Sequence, residues 1–161
     1  MNQTHENEEK PKGKDIKVLC ILAVDDEPLN NRLLEKGFRS QKQYELITTQ
    51  DPKQALDLLK QKKIDVILSD YRMPDMNGVD LLKEAKKLCA DPICIMVTAY
   101  PDLKEVMEAQ ANGLVNYIVT KPYSLDDLVK KIERSITARE MRQLAQSLSK
   151  QDKSRSRKKE K

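Results

Sequence analysis

Apolar residues along this chain fall into short runs about 20 residues apart, and polar stretches with helical periodicity separate them. The runs predict five strands, at residues 18–24, 44–49, 66–68, 93–97 and 115–119. In the stretches between them, apolar side chains recur three and four positions apart, which is typical of a helix with one buried face. Strands that alternate with helices in this way predict right-handed βαβ units and a parallel sheet covered on both faces. The pattern therefore predicts an α/β fold.

Capping signals place the starts of three of the predicted helices. Asp51, which precedes a proline, can cap the second helix, and Ser124 can cap the fifth. Asp102, with Glu105 three positions later, resembles a capping box for the fourth helix. These signals set the expected boundary between each loop and the helix that follows it.

Polar groups follow four of the five apolar runs, at the point where each predicted strand ends. Asp25 and Asp26 follow the first strand and Asp70 follows the third. Thr98 follows the fourth strand and Lys121 follows the fifth. In the strand order 2-1-3-4-5 the ends of strands one and three are neighbours, and ligands bind at that edge of an open sheet. We therefore expect these side chains to share one pocket.

The side chains of such a pocket suit metal binding and phosphoryl transfer. Three carboxylates close together repel one another, and a cation relieves that repulsion. Ligands that are all oxygen, with room for water, suit Mg²⁺. A carboxylate such as Asp70 can act as a nucleophile and form an aspartyl phosphate. A Lys121 ammonium can neutralise the phosphoryl oxygens, and Thr98 can donate a hydrogen bond to one of them.

Composition limits the other possibilities. The 161 residues, 39% hydrophobic and 35% charged, are enough for one domain with terminal tails. The sequence contains no run of about 20 apolar residues that would span a membrane and no secretory signal pattern, so we expect a cytoplasmic protein. Segment 1–15 is polar and is predicted to be disordered, and it holds the single histidine, His5. The three cysteines lack paired spacing and are expected to be small buried hydrophobes.

The motifs together resemble the receiver domain of bacterial two-component response regulators. The residues that carry the resemblance are Asp25-Asp26, Asp70 within SDYRMPDMNG, Thr98-Ala99 and Lys121-Pro122. The resemblance covers about residues 16–139, which we take as the domain. It implies a flavodoxin-like (βα)5 fold, that is, a doubly wound parallel sheet in the order 2-1-3-4-5.

The resemblance also implies roles for the site residues. Asp70 would be phosphorylated by a histidine kinase in the presence of Mg²⁺. Asp26 and Asp70 would bind the metal directly, together with the backbone carbonyl of Arg72, and Asp25 would act through water. Lys121 would pair with the phosphoryl oxygens.

Thr98, by the same resemblance, would move towards the phosphate and carry the switch. Receiver domains usually have an aromatic residue three positions before the lysine, and here that residue is Ile118. The aromatic Tyr117 is one residue earlier, and neighbouring residues of a strand face opposite sides. Either a bulge restores Tyr117 to the switch face, or the aromatic step is missing.

Arg72 and Tyr100 stand two positions after Asp70 and two after Thr98. In the family that the motifs resemble, side chains at these positions flank the path of the water that removes the phosphate. Both are large, which favours a longer-lived phosphorylated form, although solvated surface positions explain them equally well.

Beyond the domain, residues 140–149 continue a helical pattern, and residues 150–161 are strongly basic. The apolar positions of the extension are Met141, Leu144, Ala145 and Leu148. An apolar stripe of this kind needs a cover, which is either a second copy of the chain, bound through an extended C-terminal helix, or a partner protein. The basic tail is predicted to be disordered and could contact phosphate groups, but it has no element that could read a nucleic-acid sequence.

Two functions remain open at this point. The first is a phosphorylation-dependent signalling module of a two-component phosphorelay, served by a sensor histidine kinase or a histidine phosphotransfer protein and acting on a downstream protein. The alternative is a receiver-fold scaffold that binds its partner without phosphate, which the departure at Ile118 keeps open. We expect no enzyme acting on an external substrate, because the chain shows no added lid or substrate-binding insertion.

Overall fold

The computed structural model describes residues 17–159, so the predicted disordered segment 1–15 lies outside the described residues. Five strands alternate with five helices, and the predicted α/β class is confirmed. The strands are β1 (Leu19–Val24), β2 (Tyr44–Thr49), β3 (Val66–Ser69), β4 (Ile93–Thr98) and β5 (Tyr117–Thr120). The helices are α1 (Pro28–Phe38), α2 (Pro52–Gln61), α3 (Gly78–Leu88), α4 (Lys104–Ala111) and α5 (Leu125–Lys159).

The sheet has the order β2-β1-β3-β4-β5, and every neighbouring pair is parallel, as predicted. Apolar side chains cover both of its faces. The face under α2, α3 and α4 includes Leu22, Ile67, Val79, Leu82 and Val106. The face under α1 and α5 includes Ile21, Leu34, Phe38, Ile95, Leu128 and Ile132. The strand order changes direction between the neighbouring strands β1 and β3, whose last residues, Val24 and Ser69, pair with each other.

Two of the three predicted helix caps are present. The Asp51 side chain accepts a hydrogen bond of 2.9 Å from the backbone N–H of Lys53 at the start of α2. The Ser124 hydroxyl accepts one of 3.1 Å from the N–H of Asp127 at the start of α5. Each satisfies one of the donors that a helix leaves unpaired at its first turn.

The capping box predicted for α4 is wrong. The residue before this helix is Leu103, not Asp102. The Glu105 carboxylate instead accepts a hydrogen bond of 2.6 Å from the hydroxyl of Tyr71, 34 positions earlier in the chain. A contact with a distant loop thus takes the group that local spacing had assigned to the cap.

Strand β5 begins at Tyr117, two residues later than predicted, and it pairs residue by residue with β4. Tyr117 pairs with Ile95 and packs on the α1–α5 face, while Ile118 pairs with Met96 and packs on the opposite face. This regular register rules out the bulge that would have turned Tyr117 over. The position where the family usually has an aromatic residue is therefore filled by the aliphatic side chain of Ile118.

Helix α5 is continuous for 35 residues, so residues 150–159 are helical where we predicted a disordered tail. The sequence after Pro122 contains neither glycine nor proline and is rich in Lys, Arg, Gln and Glu, which all favour helix. In the extension, Met141, Leu144 and Leu148 are 64%, 55% and 53% exposed. Within residues 17–159, no helix has both the length and the apolar character needed to cross a membrane.

A buried ion pair holds α5 against the end of the sheet where the strands begin, opposite the end that carries the predicted site. Arg139 donates a hydrogen bond of 3.2 Å to the backbone carbonyl of Asp65, and the two charged groups lie 3.5 Å apart. The other carboxylate oxygen of Asp65 accepts a hydrogen bond of 3.1 Å from the backbone N–H of Cys20. This pair links the start of β3 to α5, and no local pattern in the sequence indicated it.

The three cysteines are free thiols. Cys94 on β4 is fully buried, and burial raises the pKa of its thiol to about 11. Cys20 and Cys89 are half-buried, and burial raises the pKa of each of these thiols as well. These surroundings disfavour the reactive thiolate, so the cysteines contribute packing.

Candidate functional site

Three aspartates meet where β1 and β3 end. One carboxylate oxygen from each of Asp25, Asp26 and Asp70 lies within 4.8 Å of the other two. The backbone fixes this meeting, because the N–H of Asp70 donates to the carbonyl of Val24 at 2.9 Å. The structure therefore brings together the three carboxylates that the sequence placed at separate strand ends.

Lys121 reaches this cluster from the far edge of the sheet. Its Nζ lies 2.7 Å from Asp25 Oδ2 and 3.6 Å from Asp70 Oδ1. Burial alone would lower the pKa of Lys121, but the hydrogen bond and the negative charges of Asp25 and Asp70 raise it above the ordinary value. The side chain is therefore a fixed positive charge between two carboxylates.

Thr98 lies at the same carboxyl end of the sheet as the three aspartates. It is the last residue of β4 and is fully buried. Its backbone carbonyl accepts a hydrogen bond of 2.9 Å from the N–H of Lys121. Its hydroxyl accepts one of 3.1 Å from the N–H of Tyr100. The hydroxyl is thus bonded to its own loop in this structure.

Asp25 is held by more partners than the sequence indicated. Its Oδ1 accepts a hydrogen bond of 2.9 Å from the N–H of Glu27, and its Oδ2 accepts one of 2.9 Å from the Asn30 side chain. Lys121 donates to the same Oδ2. Asn30 was missed because a polar residue in the first turn of a helix is common and carries no motif of its own. These donors fix the carboxylate beside the Asp70 pocket.

Asp70 itself is half-buried, and its environment is polar on one side. Its Oδ1 accepts a hydrogen bond of 2.8 Å from the N–H of Tyr71. Burial raises the pKa of Asp70 above the ordinary value, the negative charge of Asp25 raises it further, and Lys121 opposes both effects. The ionised form of Asp70 therefore depends on nearby positive charge.

Gly78 allows α3 to start against the backbone of Asp70. Its N–H donates a hydrogen bond of 2.8 Å to the carbonyl of Tyr71. A Cβ atom at this position would lie 2.1 Å from the backbone oxygen of Asp70 and 2.9 Å from the hydroxyl of Ser69. Only glycine fits this close approach without moving the end of β3.

Two further contacts connect the loop after Asp70 with the region of α4. The hydroxyl of Tyr71 donates to Glu105, and this bond raises the pKa of the phenol. The guanidinium carbon of Arg72 lies 3.7 Å from the centroid of the Tyr100 ring, in a cation–π contact. The side chain of Arg72 is therefore turned towards the β4–α4 loop.

The donor set of the cluster fits Mg²⁺. All three members are aspartates, and Asp26 and Asp70 are partly exposed, so water can complete the ligand shell. Hard oxygen ligands of this kind suit Mg²⁺ better than a metal that prefers nitrogen or sulfur. A divalent cation would also relieve the repulsion between carboxylates that Lys121 offsets only in part.

Comparison with known proteins agrees with this geometry. The profile of the response regulator receiver domain family matches residues 21–133. Regulatory protein AtoC of Escherichia coli (strain K12) is 35% identical over 133 residues, which are 80% of this chain and 28% of AtoC. The chain spans under a third of the length of each of the first curated relatives that it matches.

Solved structures give the same result. A CheY-like receiver domain protein from Methanospirillum hungatei JF-1 superimposes with a TM-score of 0.72 at 26% identity, covering 78% of this chain and 98% of that one. Response regulator TrrA of Thermotoga maritima, solved in complex with Mg²⁺-BeF, has a TM-score of 0.65 at 26% identity and covers 73% and 99%. The chain belongs to the receiver domain family of two-component response regulators.

Proposed function

We propose that this chain is a phosphorylation-dependent signalling module in which Asp70 accepts a phosphoryl group from a histidine kinase or a histidine phosphotransfer protein. The observation that carries the proposal is the position of Lys121, whose ammonium lies 3.6 Å from Asp70 Oδ1 and 2.7 Å from Asp25 Oδ2. A nucleophilic carboxylate beside a fixed cation and two further acids is the arrangement that phosphoryl transfer to aspartate needs.

Asp70 is the nucleophile in this proposal. One of its carboxylate oxygens forms a bond to phosphorus while the bond between phosphorus and the donor breaks. An acyl phosphate forms, and the leaving group, the nitrogen of a phosphohistidine or the acetate of acetyl phosphate, keeps the electron pair. Lys121 neutralises the negative charge of the phosphoryl oxygens as the phosphoryl group approaches Asp70.

Mg²⁺ would be held by Asp26 and Asp70 directly, by the backbone carbonyl of Arg72, and by Asp25 through water. When bound, it supplies positive charge that stabilises the transferring phosphoryl group. The close approach of the three carboxylates supports this assignment.

Thr98 is the proposed switch residue. Its hydroxyl lies on the strand beside β3 and accepts a hydrogen bond from the N–H of Tyr100. After phosphorylation it would move to donate its own proton to a phosphoryl oxygen. Ile118 offers no aromatic ring to follow this movement. The output of this chain therefore depends on contacts other than the usual aromatic one.

Mass spectrometry of the intact full-length chain tests the acceptor assignment. The protein is incubated with acetyl phosphate, with and without Mg²⁺, alongside Asp70→Asn and the control Asp57→Asn, an exposed aspartate on α2. We expect one phosphoryl group on the wild type and the control, only with Mg²⁺, and none on Asp70→Asn. A gain that survives Asp70→Asn would move the acceptor elsewhere. No gain on the wild type would favour the phosphate-independent scaffold.

We further propose that the chain turns over no external substrate, since its phosphorylated aspartate is itself the product. Among the described residues, the connections at the carboxyl end of the sheet are residues 25–27, 50–51, 70–77, 99–103 and 121–124, and none is longer than eight residues. An enzyme acting on a separate molecule would need additional chain to bind it. Release of phosphate from acetyl phosphate should therefore be no faster than loss of phosphate from Asp70.

A second copy of the chain is the partner we propose for the α5 extension. Of the α5 residues up to 150, whose burial the structure describes, Arg139 is the last buried one, which supports a domain end at 139. Met141, Leu144 and Leu148 form an exposed stripe after it. Light scattering across a range of concentrations should show a dimer that Leu144→Glu converts to a monomer and that Ser147→Glu leaves intact. A wild-type monomer at every concentration would refute this interface.

A further inference from the structure

Tyr71 contacts both the proposed acceptor and helix α4. Its backbone N–H donates to Asp70 Oδ1 at 2.8 Å, and its hydroxyl donates to Glu105 Oε2 at 2.6 Å. A single residue thus connects the carboxylate that would be phosphorylated to the first turn of α4 through two hydrogen bonds.

The bond to Glu105 has the features of a strong contact. Its length of 2.6 Å falls in the range of O–H···O⁻ bonds to a charged acceptor, which are roughly twice as strong as neutral ones. The ring of Tyr71 packs against the apolar face under α2, α3 and α4, which restricts its movement. Glu105 takes no part in capping its own helix, because the residue before α4 is Leu103. The carboxylate is therefore available to Tyr71.

We propose that Tyr71 is a positioning residue that couples the state of Asp70 to helix α4, in place of the aromatic residue that position 118 lacks. The proposal rests on the proposed function, because it needs Asp70 to be phosphorylated. Tyr117 cannot take this role, since it packs on the opposite face of the sheet, under α1 and α5.

The coupling follows from what phosphorylation does to the acceptor of the Tyr71 N–H. Once an oxygen of Asp70 is bonded to phosphorus, the negative charge moves from the carboxylate to the phosphoryl oxygens. Oδ1 then becomes a weaker acceptor, and the Tyr71 peptide gains stronger acceptors nearby. A rotation of this peptide displaces the phenol hydroxyl relative to Glu105 and so shifts the first turn of α4. By linkage, a partner that captures Glu105 must change the phosphorylation equilibrium of Asp70.

The test begins without phosphate. Hydrogen exchange of the Tyr71 amide is measured by NMR in the full chain and in Glu105→Ala, with Glu108→Ala as the matched control one turn further along α4. We expect about tenfold faster exchange in Glu105→Ala, because loss of a hydrogen bond to a charged group loosens the loop. The control should match the wild type. If the Tyr71 amide of Glu105→Ala exchanged at the same rate as in the wild type and in Glu108→Ala, the coupling would be overturned, whether or not Asp70 is phosphorylated.

The second measurement follows the amides of α4 before and after acetyl phosphate and Mg²⁺, with intact mass recorded on the same samples. Phosphorylation should change exchange in α4 of the wild type and of the control Tyr117→Phe, which removes a hydroxyl from a tyrosine that packs on the opposite face of the sheet. Tyr71→Phe keeps the ring but lacks the hydroxyl. It should still gain the phosphoryl group, but phosphorylation should no longer cause most of the change in amide exchange of α4. A full response in Tyr71→Phe would overturn the inference. Absence of the mass gain would instead refute the proposed function.

Discussion

The close approach of α3 to the acceptor strand leads to a sharp prediction for Gly78→Ala. The added Cβ would lie 2.1 Å from the backbone oxygen of Asp70, and ordinary contacts begin at 3.4 Å. The start of α3 and the end of β3 must therefore separate by about 1.3 Å. The obstructing atom belongs to the backbone, so no side-chain rotation relieves the contact.

The expected loss of stability follows from this geometry. Overpacking a tightly packed site usually costs about 1–3 kcal/mol, and a rigid backbone obstacle places Gly78→Ala at or above about 3 kcal/mol. Alanine offsets at most about 1 kcal/mol of this through lower backbone entropy in the unfolded chain. Because the shift moves Asp70, we also expect slower phosphorylation.

Two other glycines serve as internal controls. At Gly37 a Cβ meets only the side chain of Leu125, at 2.7 Å, which can rotate away, and alanine favours helix by about 1 kcal/mol. At Gly113 the space is open, but the φ of 75° makes alanine unfavourable by about 1 kcal/mol. The order of destabilisation should therefore be Gly78, then Gly113, then Gly37.

Urea unfolding of the full chain measures these differences, followed by tyrosine fluorescence because the sequence has five tyrosines and no tryptophan. Reversible two-state unfolding in each variant permits the comparison of free energies. A Gly78→Ala protein within about 0.5 kcal/mol of the wild type would refute the reasoning, since that is the range of a surface substitution.

Three further predictions concern charge. Arg139→Met should lower the free energy of unfolding by about 3 kcal/mol because it leaves Asp65 buried without its partner, whereas the exposed control Arg142→Met should change it by less than about 0.5 kcal/mol. Asp70→Asn should unfold at higher urea than the wild type at neutral pH, since burial and Asp25 raise the pKa of Asp70 and so destabilise its charged form. That advantage should fade as the pH falls towards the ordinary value of 3.8, and an advantage that grows in acid would contradict the assignment. Tyr100→Ala, which removes the ring under Arg72, should shorten the lifetime of the phosphorylated form several-fold when followed by intact mass, and an unchanged lifetime would assign the stacked pair to the surface.

The strand ends could be predicted because two simple signals coincide there. A continuous apolar run marks a strand buried on both faces, and a polar residue directly after it marks the carboxyl edge of the sheet. Asp70 and Lys121 are 51 positions apart, yet the alternation of strands and helices was enough to place them in one pocket. The topology thus supplies the long-range information that the local pattern lacks.

Contacts between distant side chains could not be predicted in the same way. The spacing of Asp102 and Glu105 predicted a cap, but Glu105 bonds to Tyr71 across the site edge. Arg139 is another charged residue in a strongly charged helix, and nothing in the sequence marks it as the partner of Asp65. The helical state of residues 150–159 was missed because the prediction weighed the missing apolar pattern and not the missing helix breakers.

The two ends of β3 separate the surfaces that this chain can use. Asp65 precedes the strand and Asp70 follows it, so about 16 Å of extended chain lies between them. The α5 extension leaves the sheet next to Asp65. Helix α4, in contrast, is connected to Asp70 through the single residue Tyr71, which bonds to both Asp70 and Glu105. A change at Asp70 therefore reaches α4 through two hydrogen bonds but reaches the extension only through a packed strand. Association through the extension should accordingly be the same with and without phosphorylation, and a phosphorylation-dependent mass in light scattering would contradict this division.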